Sequence, residues 1–229
     1  MDDIRPQISD PGGSNPQCFI QAGGRSARMG EDKSWLPLDG RPMIEHVLAA
    51  ACEIAPHPAI VISSKNPQAA RYHELAERWH AEVLDDLYNH CGPLGGIYTA
   101  LAGCSAGESA LILACDLPFV TAEFLRRLRQ IHETEKPDLT IPLDRASRAQ
   151  MLVGIYSAAC REPLGRMLGW NELAADRLRL RVRARLVPFR EYAHLPDAAR
   201  FLTNVNTPEE YQAVEPAPTE ATRHDDVIE

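Results

Sequence analysis

Cys18 to Lys33 reads CFIQAGGRSARMGEDK. Its first four residues form a short apolar run, Cys18 to Gln21, which opens directly into a loop holding the adjacent pair Gly23 and Gly24. A glycine pair just past a strand lets backbone N–H groups approach a ligand closely, because no Cβ stands in the way. Ser26, Arg28 and Lys33 follow on the same loop. Arginine offers a planar fork for phosphate oxygens and lysine a mobile point charge. Loop amides with two cations are what a triphosphate needs. The spacing is neither G-x-x-x-x-G-K-[ST] nor G-x-G-x-x-G, so the loop is neither a P-loop nor a dinucleotide fingerprint. A bare Gly-Gly pair would be read as a turn with two solvated cations; the thirteen-residue string from Gln21 to Lys33 carries more than that.

Outward from this loop the chain alternates. The patterning predicts helices over Met43 to Ala55, started by Pro42, over Gln68 to Trp79, over Gly95 to Cys104, and over Thr121 to Glu133 with Thr121 as its N-cap. Between them lie short apolar runs: Ala59 to Ser63, Glu82 to Leu84 and Ala110 to Ala114. Continuously apolar strands alternating with helices place the chain in the α/β class. The expected fold is a Rossmann-like, three-layer, mostly parallel sheet with helices on both faces, in a single domain. Ligands of such sheets sit beyond the carboxyl ends of the strands, near a topological switch point. The loops after Ile20, Ile62, Leu84 and Ala114 should therefore face one crevice.

The second half is less regular. Met151 to Tyr156 reads as a strand and Ala158 to Leu168 as a helix. Leu178 to Phe189 alternates apolar and basic residues, as a half-exposed strand does, and Phe201 to Tyr211 reads as a strand, a loop and a helix capped by Thr207. Residues 1–16 are expected to be a flexible arm, 17–214 the folded domain, and 215–229 a flexible tail.

The formal net charge of −8, from 24 Lys+Arg against 32 Asp+Glu, argues against a nucleic-acid binder. The 6 cysteines include no C-x-x-C pair, and most lie in apolar stretches as small buried hydrophobes. The N-terminus has no apolar core of a secretory signal, and no run reaches the ~20 apolar residues of a membrane helix. A cytoplasmic protein without membrane contact is expected.

Further candidates fall in the loops that should meet. Asp116 ends the strand LILAC before Leu117-Pro118; a carboxylate there suits Mg²⁺, although a turn aspartate before Leu-Pro looks the same in isolation. Asp86, beside Asp85 in a loop after a short strand, reads on its own as a solvated loop acid. Gly92 to Gly96 (GPLGG) is a turn into a helix start, where amides can hold carbonyls or phosphates. Asn204 and Asn206 alternate along an extended stretch and offer paired amides, or else an Asn-rich turn.

The Gln21–Lys33 string resembles the signature of the MobA-like nucleotidyltransferases, an apolar strand leading into L-A-G-G-x-S-x-R-M-G-x-D-K. Within that family it is most similar to the molybdenum cofactor guanylyltransferases. The resemblance runs from about Phe19 to Tyr211 and includes CGPLGGI (Cys91 to Ile97), CDLPF (Cys115 to Phe119) and NVNTPEE (Asn204 to Glu210). It implies a Mg²⁺-dependent enzyme that transfers GMP from GTP to molybdopterin and releases pyrophosphate. It implies nucleotide contacts from Gln21, Ala22, Gly23, Gly24, Lys33, Ser63, Asp86 and Asp116, and metal coordination by Asp116. Catalytic roles then fall to Arg28, Lys33 and Asp116, and Asn204 and Asn206 lie near the molybdopterin. Transient contacts with molybdenum cofactor biosynthesis proteins or target apoenzymes would accompany that activity.

Cytidylyl relatives tend to read A-A-G at Ala22-Gly23-Gly24 and D-x-D-T-P at Asn204 to Pro208, which favours the guanylyl branch. The departures are Gln21 in place of a usual Leu, Ser63 where some relatives carry Asn, and Met151 in place of a Pro after Gln150. The arginine-rich Leu178 to Leu186 is either a solvated strand face or a basic rim for an anionic substrate. The alternatives are a cytidylyl or sugar-phosphate nucleotidyltransferase of the same fold, and a guanine-nucleotide-binding module without catalysis.

Overall fold

The computed structural model describes residues 17–22, 32–88, 90–104 and 107–205. The expected arm (1–16), Gly23 to Glu31 of the glycine loop, Asn206 with the capped helix expected after it, and the tail (215–229) lie outside the described residues.

In chain order the elements are β1 (Gln17–Gln21), a small antiparallel hairpin of β2 (Pro37–Leu38) and β3 (Arg41–Pro42), α1 (Met43–Cys52), β4 (Ala59–Ile62), α2 (Ala69–Trp79), β5 (Glu82–Asp85), α3 (Pro93–Gly103), β6 (Ser109–Ala114), α4 (Ala122–Glu135), β7 (Leu139–Pro142), β8 (Val153–Ser157), α5 (Arg161–Gly169) and β9 (Ala184–Val187). Seven strands make one sheet in the order β5-β4-β1-β6-β8-β7-β9. β1, β4, β5 and β6 run parallel; β8 alone is reversed, against β6 on one side and β7 on the other, and β9 pairs parallel with β7.

Side-chain alternation along the strands builds the three layers. Cys18, Ile20, Ile60, Ile62, Leu111 and Leu113 pack with α1, α2 and α4 on one face. Phe19, Val61, Ala110 and Ile112 pack with α3 and α5 on the other. Both faces are covered, so the strands must be apolar throughout, and β4 is buried at all four of its positions. α4 begins where its sequence says it should: the Thr121 hydroxyl accepts from the Phe124 N–H at 3.3 Å. Phe124, Leu125, Leu128 and Ile131 form its buried stripe. The helix ends at Lys136, whose positive φ of 48° turns the chain out while its N–H donates to the His132 carbonyl.

The second half corrects two expectations. Leu178 to Phe189 is not one strand: Ala175–Leu180 forms 3-10 turns, and only Ala184–Val187 joins the sheet. Leu178 is buried and Leu180 exposed, so the period-2 pattern does not mark one face. Phe201 to Val205 is a turn followed by irregular chain and not a strand. β7, a four-residue run ending in Pro142, has no counterpart in the sequence reading.

Candidate functional site

The order β5-β4-β1-β6 means that the chain winds outward from β1 through β4 to β5, then crosses by α3 to the other side of β1. The switch point lies between β1 and β6, and their register pairs Gln21 with Ala114. The Cys115 N–H continues that ladder onto the Gln21 carbonyl at 3.0 Å, so the strand end before the glycine loop and the one before Asp116 are locked together. On the other side, the Ala22 N–H donates to the Val61 carbonyl at 2.9 Å and the Asp86 N–H to the Ile62 carbonyl at 2.7 Å. The ends of β1, β4, β5 and β6 therefore open onto one crevice, as the alternation of the sequence predicts.

Lys33 and Asp116 meet there. The Lys33 ammonium pairs with Asp116 Oδ2, with the two side chains only 20% and 13% exposed. A buried network positions both. Asp32 caps the 3-10 turn Lys33–Trp35 by accepting from the Ser34 N–H at 3.1 Å. Tyr72 of α2, fully buried, donates its hydroxyl to Asp32 Oδ2 at 2.7 Å and lies 2.8 Å from Ser34 Oγ. Ser34 Oγ in turn contacts Cys115 Sγ at 3.3 Å. Residues on both sides of Lys33, and the neighbour of Asp116, are thus tied to one tyrosine.

The opposite wall is the start of α3. Gly95 and Gly96 sit in its first turn, and a Cβ on either would collide with neighbours: at Gly95 it would lie 2.7 Å from the Tyr88 carbonyl and 3.1 Å from Asp86 Oδ2, and at Gly96 2.7 Å from the Gln21 Cδ. Two glycines therefore let the Asp86 carboxylate and the Gln21 amide lie directly on the helix backbone. Asp86 Oδ1 accepts from the Tyr88 N–H at 3.0 Å and from the Thr99 hydroxyl at 2.9 Å. Burial raises the Asp86 carboxyl above its ordinary pKa by more than those two hydrogen bonds lower it. Ser63 stands at the end of β4, where its hydroxyl accepts from the Lys65 N–H at 3.3 Å in a local turn.

Asn204 arrives from the far end of the chain. The Val205 N–H donates to the Asp116 carbonyl at 3.0 Å, and the Val205 side chain is buried with Leu38 and Met43. Asn204, next to that anchor, lines a cavity of about 590 Å³ together with Asp144, Arg145, Arg148, Gln150 and Tyr192. Asp144 organises the turn: its Oδ1 accepts from the Ala146 and Arg148 N–H groups and its Oδ2 from the Arg148 guanidinium. Burial pushes the Asp144 carboxyl up, but these donors outweigh it and hold it below its ordinary range. Sequence reasoning did not single out Arg145 or Arg148; the only signal was the neighbouring Gln150-Met151.

The arginines of the stretch from Leu178 to Leu186 are drawn into ion pairs. Arg179 pairs with Asp176, Arg181 with Glu172, Arg183 with Asp138, and Arg185 with Glu135 and Glu191. Each guanidinium has a local carboxylate partner, as a solvated polar face does.

Residues 18–185 match the family model described as the MobA-like NTP transferase domain. The chain belongs to the MobA-like NTP transferase family. Nucleotidyl transfer is its enzyme class. Among the relatives of this transferase, a "Probable molybdenum cofactor guanylyltransferase" of Flavobacterium johnsoniae is 33% identical over 193 residues, covering 84% of this chain and 92% of that protein. Another with the same description, from Carboxydothermus hydrogenoformans, is 32% identical, covering 86% and 94%. The fold is shared with the crystal structure of molybdopterin-guanine dinucleotide biosynthesis protein A from Archaeoglobus fulgidus, with a TM-score of 0.73 at 24% identity over 87% of this chain and 96% of that one.

Of the residues the transferase signature points to, Gln21, Ala22, Lys33, Ser63, Asp86 and Asp116 stand at the carboxyl ends of adjacent strands or in the loops that follow them. Asn204 stands at the neighbouring cavity. Gly23, Gly24, Arg28 and Asn206 lie outside the described residues. Among the described residues, no helix is long and apolar enough to cross a membrane.

Proposed function

We propose that this transferase moves GMP from GTP to molybdopterin, forming the molybdopterin guanine dinucleotide and releasing pyrophosphate. The observation that carries the reading is the Lys33–Asp116 pair at the switch point, in the crevice whose wall is formed by Gln21 and Asp86 on the start of α3. GTP would lie across the crevice with its base at Gln21, Ala22 and Asp86 and its phosphates over Gly23, Gly24, Arg28 and Lys33. Ser63, whose hydroxyl is engaged in its own turn, would contribute at the edge.

The acceptor would enter the cavity at Asn204, and Asn206 is proposed to contact it as well. A volume of about 590 Å³ suits a pterin-sized group, and Arg145 and Arg148 at its mouth suit a phosphate monoester. An oxygen of that monoester attacks the α-phosphorus in line; the new O–P bond forms as the bond to the bridging oxygen of pyrophosphate breaks. The monoester is largely ionised near neutrality, so no strong general base is required. The chain's contribution is placement and charge: Lys33 and Arg28 offset the charge of the triphosphate and the leaving pyrophosphate, and the Asp86–Gln21 wall holds the base.

Mg²⁺ fits this donor set. Among the described residues no group of three His, Cys, Asp or Glu side chains is placed to hold a metal ion. Mg²⁺ does not need one, since it is commonly bound by one or two carboxylates together with substrate phosphates and waters. Asp116 would hold it, and the ion would supply charge neutralisation at the phosphate oxygens.

Thermal unfolding with Mg²⁺ and GTP, CTP or ATP in turn tests the donor. At 100 times its Kd a ligand adds ~2.7 kcal/mol, a rise in Tm of roughly 5–10 °C for a domain of this size. The rise is expected with GTP. A larger rise with CTP would move the assignment to cytidylyl transfer, and no rise with any nucleotide would point to a fold that has lost its activity.

A further inference from the structure

Resting on that reading of GTP as the donor, we propose that the side chain of Gln21, and not only its backbone, selects guanine by accepting a hydrogen bond from the 2-amino group of the base. Alternation along β1 sets the direction. Cys18 and Ile20 point to the α1–α2 face and Phe19 to the α3 face. Gln21 follows Phe19 in this pattern and meets α3 at Gly96.

Its amide is held there. Gln21 Nε2 donates to the Pro93 carbonyl at 3.3 Å, and a Cβ at position 96 would stand 2.7 Å from Cδ, 2.9 Å from Nε2 and 3.0 Å from Oε1. The partner decides which end of the amide is which. Pro93 has no N–H and offers only a carbonyl, so the group facing it must be the NH₂. Among the described residues no donor is assigned to Oε1. The amide is therefore oriented with one N–H engaged by Pro93 and its oxygen turned to be the acceptor for a ligand.

Asp86 presents the same character one residue away on the same helix turn. Its Oδ1 is engaged by Tyr88 and Thr99, while Oδ2 lies over Gly95. The wall thus offers two neighbouring acceptors. Of the common bases, guanine alone presents two adjacent donors on one edge, N1–H and the 2-amino group. Cytosine presents N3 and O2 as acceptors beside its single amino group, and adenine presents N1 beside its amino group. Either would offer at most one donor to these two acceptors and set a lone pair against the other, a mismatch that costs affinity. A leucine at position 21 would leave Asp86 as the only acceptor of the two.

Inosine triphosphate lacks only the 2-amino group, so the ratio of its Kd to that of GTP isolates this contact. Calorimetric titration of the full chain with Mg²⁺ and each nucleotide should give a ratio of about 10-fold or more. In Gln21→Leu the GTP affinity should fall more than the inosine triphosphate affinity, so that the ratio drops at least ~3-fold, the loss of about one hydrogen bond. Gly96→Ala, which fills the seat of the amide, should lower the ratio in the same direction. A ratio near 1 in the unaltered protein, or an undiminished ratio in Gln21→Leu, overturns the proposal. A preference of the unaltered protein for CTP over both purine nucleotides overturns the donor assignment itself and takes this inference with it.

Discussion

The Lys33–Asp116 pair joins opposite charges that are both largely withdrawn from water. Truncating either leaves the other without its partner in a low-dielectric crevice and, in the proposed reaction, removes a charge assigned to the triphosphate site. Asp116→Ala or Lys33→Ala should lower turnover by at least ~10²-fold; near-normal steady-state rates in either variant would contradict the assignment. Asp86 makes a second residue-scale prediction. The ionised carboxylate is the stronger acceptor for the guanine donor it faces, and burial raises its pKa. On acidification the Kd for GTP should therefore begin to rise before the pH falls to the ~4 of an ordinary carboxylate, and a Kd flat down to that pH would show that Asp86 does not hold the base. These residues were legible because each stands in a short motif at a strand end. Arg145 and Arg148 were not: they sit in an irregular turn ordered by Asp144, and nothing in their spacing says that Asn204, more than fifty residues later, folds back beside them.

Elements matter here because the site is assembled from pieces that do not adjoin in sequence. α2 carries no substrate contact in this scheme, yet its Tyr72 fixes Asp32 and Ser34 on either side of Lys33, and through Ser34 touches Cys115 beside Asp116. Tyr72→Phe keeps the buried ring and removes the hydroxyl. It should cost about 1–3 kcal/mol, because Asp32 and Ser34 lose a buried partner, and lower kcat roughly 10-fold through misplacement of Lys33. Unchanged Tm and unchanged kcat would show that the network is incidental. The central strands were readable as continuous apolar runs because helices cover both faces of the sheet. β7 was not, being four residues long with a proline at its end. The stretch from Leu178 misled for a different reason: its arginines alternate like an exposed strand face, but Asp176 and Glu172 capture Arg179 and Arg181 locally, and 3-10 turns take the first part of it.

On the scale of the whole molecule, the reversal of winding between β1 and β6 produces the crevice, and the return of the chain at Val205 adds the second wall. The first was foreseeable from strand–helix alternation and the rule that ligands sit at a topological switch point. The second depends on one long-range hydrogen bond and a buried valine, which no local pattern announces. A transfer between two bound substrates requires a donor site and an acceptor site, and the direct test of the proposal is the transfer. With Mg²⁺, molybdopterin and GTP labelled at the α-phosphate, label should pass into a molybdopterin dinucleotide with one pyrophosphate released per transfer, and CTP should give far less. Faster transfer from CTP, or pyrophosphate release that does not depend on molybdopterin, would contradict guanylyl transfer to this acceptor.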